Sequence, residues 1–118
     1  MTTDLANRPS NGDGLAVTAF LEKLRGTYDV SGTILFGSRA RGDNRPDSDL
    51  DLAVVLAGKR GSFIDTKLHM AGLAFDVLME TGILIQALPL WEGDLAHPEQ
   101  FSNPDLIRNI AREGIPLG

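Results

Sequence analysis

One stretch, Ile34 to Leu56, constrains this chain more than any other. It opens on Ile34-Leu35-Phe36, turns at Gly37-Ser38, runs ten residues to Asp49-Leu50-Asp51, and continues into Leu52-Ala53-Val54-Val55-Leu56. Short apolar runs bounded by turn residues are strand signals. On a strand, residues i and i+2 project to the same face. Asp49 and Asp51 are therefore side by side, with Leu50 turned the other way into apolar packing. Two carboxylates that close repel unless something positive sits between them, and hard oxygen ligands suit Mg²⁺. A Gly-Ser turn that opens a helix offers backbone N–H groups and a hydroxyl to a phosphate. Carboxylates for a metal beside donors for a phosphate is the layout that phosphoryl or nucleotidyl transfer requires.

The flanking sequence sets this stretch in a small domain. Met1 to Asn11 is polar with little to bury and reads as a loose arm, with a domain from residue 13 to 118 after it. Asp13 is placed to cap a first helix, whose apolar residues Val17, Phe20, Leu21, Leu24 and Tyr28 fall at helical spacing. Val30 to Phe36 is a first strand, Ser38 to Arg41 a short helical turn ended by Gly42, Asp43 to Asp47 a polar loop, and Leu50 to Leu56 a second strand. A long helix follows, with Ser62 and Asp65 approximating a capping box and Gly82 as its stop. Along it Ile64, Leu68, Ala71, Phe75, Leu78 and Met79 form one apolar stripe. Ile83 to Leu90 is a third strand, Trp91 to Asp94 a polar break, and Asn103 caps a last helix with Pro104 at its first position and Gly114 at its close. An α-β-β-α-β-α order with few strands implies the α/β (α+β) class: a small mixed sheet with flanking helices.

Composition narrows the class of function. At 118 residues the chain fits one domain with a core of its own. No apolar run approaches the roughly 20 residues of a spanning helix. Zero cysteines exclude a disulfide scaffold and thiolate chemistry and fit a reducing cytoplasm. A net charge of -5 argues against general nucleic-acid binding, which normally shows a basic balance.

The run Gly37-Ser38-Arg39-Ala40-Arg41-Gly42-Asp43-Asn44-Arg45-Pro46-Asp47-Ser48-Asp49-Leu50-Asp51 closely resembles the core motif of the DNA polymerase β-like nucleotidyltransferase superfamily. Within it, the chain looks like the minimal nucleotidyltransferases of prokaryotes, many of which act as antitoxin to a HEPN-domain partner. The resemblance spans Val30 to Leu90, and Asn103 to Gly114 reads like that family's C-terminal helix. It implies that Asp49 and Asp51 hold the catalytic Mg²⁺ and the triphosphate of ATP, and that Gly37 and Ser38 grip the phosphates. Arg41, at the commoner family position before the glycine, would serve as a charge clamp. The implied acceptor is a tyrosine of a HEPN toxin that receives AMP, in a cytoplasmic homo- or hetero-oligomer.

Other residues weigh less. Arg39 and Arg41 cannot share one helical face, so one is left to solvent or to Asp43 or Asp47. Ser48 reads as a loop-fixing hydroxyl, Arg45 as a loop charge, Asp76 as a surface helix charge and Trp91 as a packing or interface residue. His69 and His97 lack zinc spacing, and His69 reads as solvated. Superfamily sites carry a further acid on a later strand, whereas Ile83 to Leu90 has none, and Gln86 is its only polar residue. Glutamine cannot act as a general base at neutral pH; Glu92 and Asp94 on the following loop are the substitutes within reach. Two alternatives therefore stand: an antitoxin acting by binding alone, and an aminoglycoside nucleotidyltransferase, for whose extra domain the chain leaves little room.

Overall fold

The computed structural model describes residues 11–45 and 48–117. Two expectations, the arm at residues 1–10 and the part of the polar loop at Pro46 and Asp47, lie outside them. Helix α1 (Asn11–Arg25) leads into β1 (Val30–Phe36), the short α2 (Ser38–Arg41), β2 (Leu50–Leu56), α3 (Phe63–Thr81), β3 (Ile85–Trp91), α4 (Glu92–Ala96), α5 (Pro104–Glu113) and β4 (Ile115–Pro116). The four strands form one mixed sheet in the order β3-β2-β1-β4, with β2 antiparallel to β1 and parallel to β3. A small mixed α/β fold is what the element order implies, and the bounds of β1, α2 and β2 coincide with those read from the sequence.

The sheet has a core on each face. One side packs Leu50, Leu52, Val54 and Leu56 of β2 and Ile85 and Ala87 of β3 beneath α1 and α3, with Phe20, Leu24, Met70 and Val77 among the filling residues. The other packs Ala53, Leu88 and Leu90 against Phe101 and against Ile107 and Ile110 of α5. Both faces of β2 are thus buried, which explains its near-continuous apolar run. Pro89 sits in β3 because β3 is an edge strand, where a missing N–H is tolerated.

Helix α3 is capped as its sequence indicates: the Ser62 hydroxyl accepts from the Asp65 N–H at 3.3 Å, and Gly82 is left-handed at φ 79°. Its packing face is different. Met70, Ala74 and Val77 are buried, while Ile64, Leu68, Phe75 and Met79 of the expected stripe are exposed. Both sets repeat at i, i+4, i+7, so periodicity cannot choose between them.

Three further expectations change. α1 begins at Asn11, so Asp13 lies in its first turn; it is buried and receives Arg39 rather than acting as the cap. The supposed polar break after β3 is α4, and β3 ends on Trp91. The two-residue β4 pairs with β1, an element too short to carry a sequence pattern.

Candidate active site

β2 enters the sheet at Leu50, and its first outward side chain on the α5 face is Asp51; Asp49 precedes it on the same side. Leu50, between them, is fully buried in the opposite core. Asp51 is half-buried and Asp49 exposed. Burial pushes the Asp51 carboxyl up from its ordinary 3.8, and the neighbouring Asp49 charge pushes it further, with Arg41 and Arg39 pulling against both. Two carboxylates placed in this way are oxygen donors that could hold a divalent cation if further ligands came from water or a bound phosphate.

Gly37 sits directly against that pair. Phe36 is paired with Asp51 across the sheet, so the residue after Phe36 turns over the Asp51 side chain. Gly37 does so at φ 74°, a left-handed conformation suited to glycine, and a Cβ there would overlap Asp51 Oδ2. The glycine is required on two counts. α2 starts at once from this turn. Ala40 and Arg41 donate to the Gly37 carbonyl at 3.1 Å each, so the N–H groups of Ser38 and Arg39 precede the first helical bond.

The two arginines of the turn take different roles. Arg39 reaches back to α1, where its Nη1 donates to both Asp13 oxygens at 3.0 and 3.1 Å, and its Nη2 donates to the Ser48 carbonyl. The pair is nearly buried, so Arg39 is a structural clamp that holds the residue before Asp49. Arg41 is exposed, with Asp43 at 3.3 Å. It borders a cleft of about 240 Å³ between Phe36, Gly37 and the α5 residues Leu106, Asn109, Ile110 and Glu113. Ser48 fixes the loop as expected, its hydroxyl accepting from the Arg45 N–H at 2.9 Å.

Gln86 completes the cluster. It is in register with Asp51 on the parallel neighbour strand, and its Nε2 donates to Asp49 Oδ2 at 3.1 Å. The strand position opposite the aspartates is therefore filled by an amide. Glu92 and Asp94 are not substitutes: both belong to α4, beyond Trp91, at the far end of the β2–β3 pair. Asp94 is buried there, accepting from the Trp91 N–H at 2.9 Å and from Arg60. Among the described residues no cluster of three or more Asp, Glu, His or Cys stands ready for a metal. Trp91 is buried under the Arg60 guanidinium, a packing role. His69 is exposed but not merely solvated, since its Nδ1 shares a 2.6 Å hydrogen bond with the Tyr28 hydroxyl.

The strand–turn–strand geometry defines a nucleotidyltransferase domain, and comparison with known families agrees. Residues 20–117 match the family described as polymerase beta, nucleotidyltransferase, and the chain belongs to that family. Among solved structures it is similar to a Sulfolobus solfataricus protein assigned as a nucleotidyltransferase, with 19% identity, a TM-score of 0.53, and coverage of 92% of this chain and 87% of that one. It is also similar to a chain of a toxin–antitoxin crystallised with AMP-PNP, with 18% identity, a TM-score of 0.61, and coverage of 92% and 73%. At such identities both likenesses speak to the fold. No curated protein matches the chain. No helix among the described residues is long and apolar enough to cross a membrane.

Proposed function

We propose that this chain transfers AMP from ATP to a hydroxyl on a partner protein, as the antitoxin of a HEPN toxin whose tyrosine is the acceptor. The observation that carries the reading is the Asp49–Asp51 pair with Gly37 folded against Asp51 Oδ2, so that the carboxylates and the phosphate-binding turn form one site. The toxin–antitoxin neighbour with its ATP analogue supports the partner class through the shared fold.

The donor set fits a hard divalent cation: two carboxylates on one face, the Asp49 charge raising the cost of ionising Asp51, with Asp49 exposed to solvent. Mg²⁺ held by Asp49 and Asp51 would supply charge neutralisation for the triphosphate. The Ser38 and Arg39 N–H groups and the Ser38 hydroxyl bind the β- and γ-phosphates at the turn. Arg41, exposed on the same turn, adds positive charge, and the cleft toward α5 receives the nucleoside. The acceptor oxygen attacks the α-phosphorus in line; the new O–P bond forms as the bond to the β-phosphate oxygen breaks, pyrophosphate leaves, and the hydroxyl proton passes to solvent. Gln86 cannot take the acceptor proton, so alignment of the hydroxyl by the partner carries much of the rate, an effect worth on the order of 7 kcal/mol in good cases.

That same Gln86 favours a second reading, a nucleotide-independent antitoxin that silences its partner by binding. Incubation with the product of the neighbouring gene and α-³²P-ATP separates the two. Transfer labels the neighbour, adds the mass of AMP to a tyrosine, and fails with Asp49→Asn. Equal silencing without nucleotide and no added mass establishes the binding-only reading.

A further inference from the structure

Helix α3 has two apolar faces, and the fold uses one. On the outer face Ile64, Leu68, Phe75 and Met79 are 62%, 67%, 56% and 72% exposed. With the exposed Ala71 they fall at i, i+4, i+7, i+11 and i+15, a straight stripe about 22 Å long. Four large side chains so exposed present on the order of 400–500 Å² of apolar surface, a patch size that on monomers is often functional. A helix apolar on both sides is built to be covered on both sides.

Two features define the covering partner. The stripe runs at one end into a groove of about 260 Å³ between Ile64, Leu68 and Ala71 of α3 and Gln86 and Ala87 on the free edge of β3. Gln86 is the residue whose amide holds Asp49, so the apolar surface is continuous with the active site. At 100° per residue, Asp65 and Asp76 lie together along one border of the stripe and are exposed, while Glu80, further round, is paired with Lys23 of α1 at 3.0 Å. On the other border Lys67 is turned inward to the Ala87 carbonyl at 3.3 Å. An acidic border on a chain of net charge -5 selects a basic counterpart. A second copy fits poorly, because antiparallel two-fold pairing of this face sets acidic border against acidic border.

We infer that the outer face of α3 and the β3 edge are the docking surface for the acceptor protein, and that the segment seated there is an amphipathic helix with basic residues along one edge. The inference rests on the nucleotidyltransferase reading for the partner's role as acceptor. A helix lying on the stripe has its end at Gln86, from which it delivers a hydroxyl to Asp49 and Asp51.

The test uses two synthetic helical peptides of about five turns with one pattern, Leu/Lys and Leu/Glu, titrated into isotopically labelled protein. The Leu/Lys peptide is expected to shift the resonances of Ile64, Leu68, Phe75, Met79 and Gln86 and to bind at least tenfold more tightly than Leu/Glu. The double variant Leu68→Glu, Phe75→Glu alters exposed positions only, so it should melt like the parent, bind Mg-ATP unchanged, and lose the peptide at least tenfold. Failure of both peptides to bind, equal binding of the two, shifts confined to another surface, or dimerisation through this face in sedimentation overturns the proposal. Asp49→Asn with Asp51→Asn tells its failure from that of the enzymatic reading. If Mg-ATP binding survives that change, the metal site is misassigned while peptide docking stands or falls alone.

Discussion

The β2–β3 pair ends in two ways. At one end Leu56 faces Trp91, and at the other Asp51 faces Gln86, five residues or about 16 Å away along the strands. At the Trp91 end a buried carboxylate, Asp94, has a backbone N–H and the Arg60 guanidinium, and Arg60 itself lies 5.4 Å from the Trp91 ring centre and 5.7 Å from that of Phe101. At the Asp51 end two carboxylates stand together and the nearest cation that is nearly buried, Arg39, is committed to Asp13 and to the chain before them. One end has its charges paired within the fold, and at the other, on the function proposed above, a bound cation completes the pairing. Acids at the two ends should therefore respond to mutation in opposite senses.

The largest expected effect is on ligand binding at the incomplete end. Asp49→Asn with Asp51→Asn keeps shape and removes charge, and calorimetry should show the mutual enhancement of Mg²⁺ and ATP binding fall on the order of 100-fold, near 2.7 kcal/mol. The fold should survive, because relieving like-charge repulsion does not weaken it. Unchanged Mg-ATP binding in this variant would erase the distinction between the ends.

At the complete end the loss should appear in stability. Asp94→Ala leaves the Trp91 N–H and Arg60 without their carboxylate in a buried setting, a loss of about 2 kcal/mol. For a domain of this size that is on the order of 10 °C in Tm. Mg-ATP affinity should be unaltered. A variant that melts normally but binds nucleotide poorly would instead join Asp94 to the active site.

A smaller effect tests the amide between the acids. Gln86→Glu puts a third carboxylate beside Asp49 and in register with Asp51. Metal affinity or transfer rate should rise severalfold, with lower stability in the absence of metal from the added repulsion. No gain in either, with the fold intact, would show that Gln86 positions Asp49 without facing the metal.

How much of this could be read beforehand follows from how local each signal is. Gly37, Leu50 and the Asp49–Asp51 pair were legible because turn geometry and strand alternation act within a few residues. The cap at Ser62 and the stops at Gly42 and Gly82 were legible for the same reason. What escaped depends on distant partners. Asp13 looks like a cap until Arg39 arrives from α2, and Asp94 looks within reach of Asp49 and Asp51 until β3 carries it to the opposite end. The two faces of α3 have the same spacing, and only the sheet decides which one is buried. Gln86 is intermediate: its lone polarity in an apolar strand marks it in the sequence, but its contact with Asp49 depends on the β2–β3 register.

The smallest effect concerns pH. Burial, and then Asp49, raise the Asp51 carboxyl above its ordinary 3.8, so the folded protein holds that proton to higher pH than the unfolded chain does. Where the folded state binds more protons, stability falls as pH rises. The penalty is absent below the ordinary value, grows as pH climbs through the raised one, and is constant beyond it. Asp51→Asn removes the ionisation, so the metal-free variant should match wild type in strong acid and exceed it at neutral pH. The group is only half-buried and solvent screens it, which limits the difference to about 1–2 °C in Tm. Mg-ATP should reverse the order, since only wild type gains stability from the ligand. A wild type that is the more stable protein at neutral pH without ligand would make Asp51 a structural carboxylate like Asp94, and the two ends of the strand pair would no longer differ in kind.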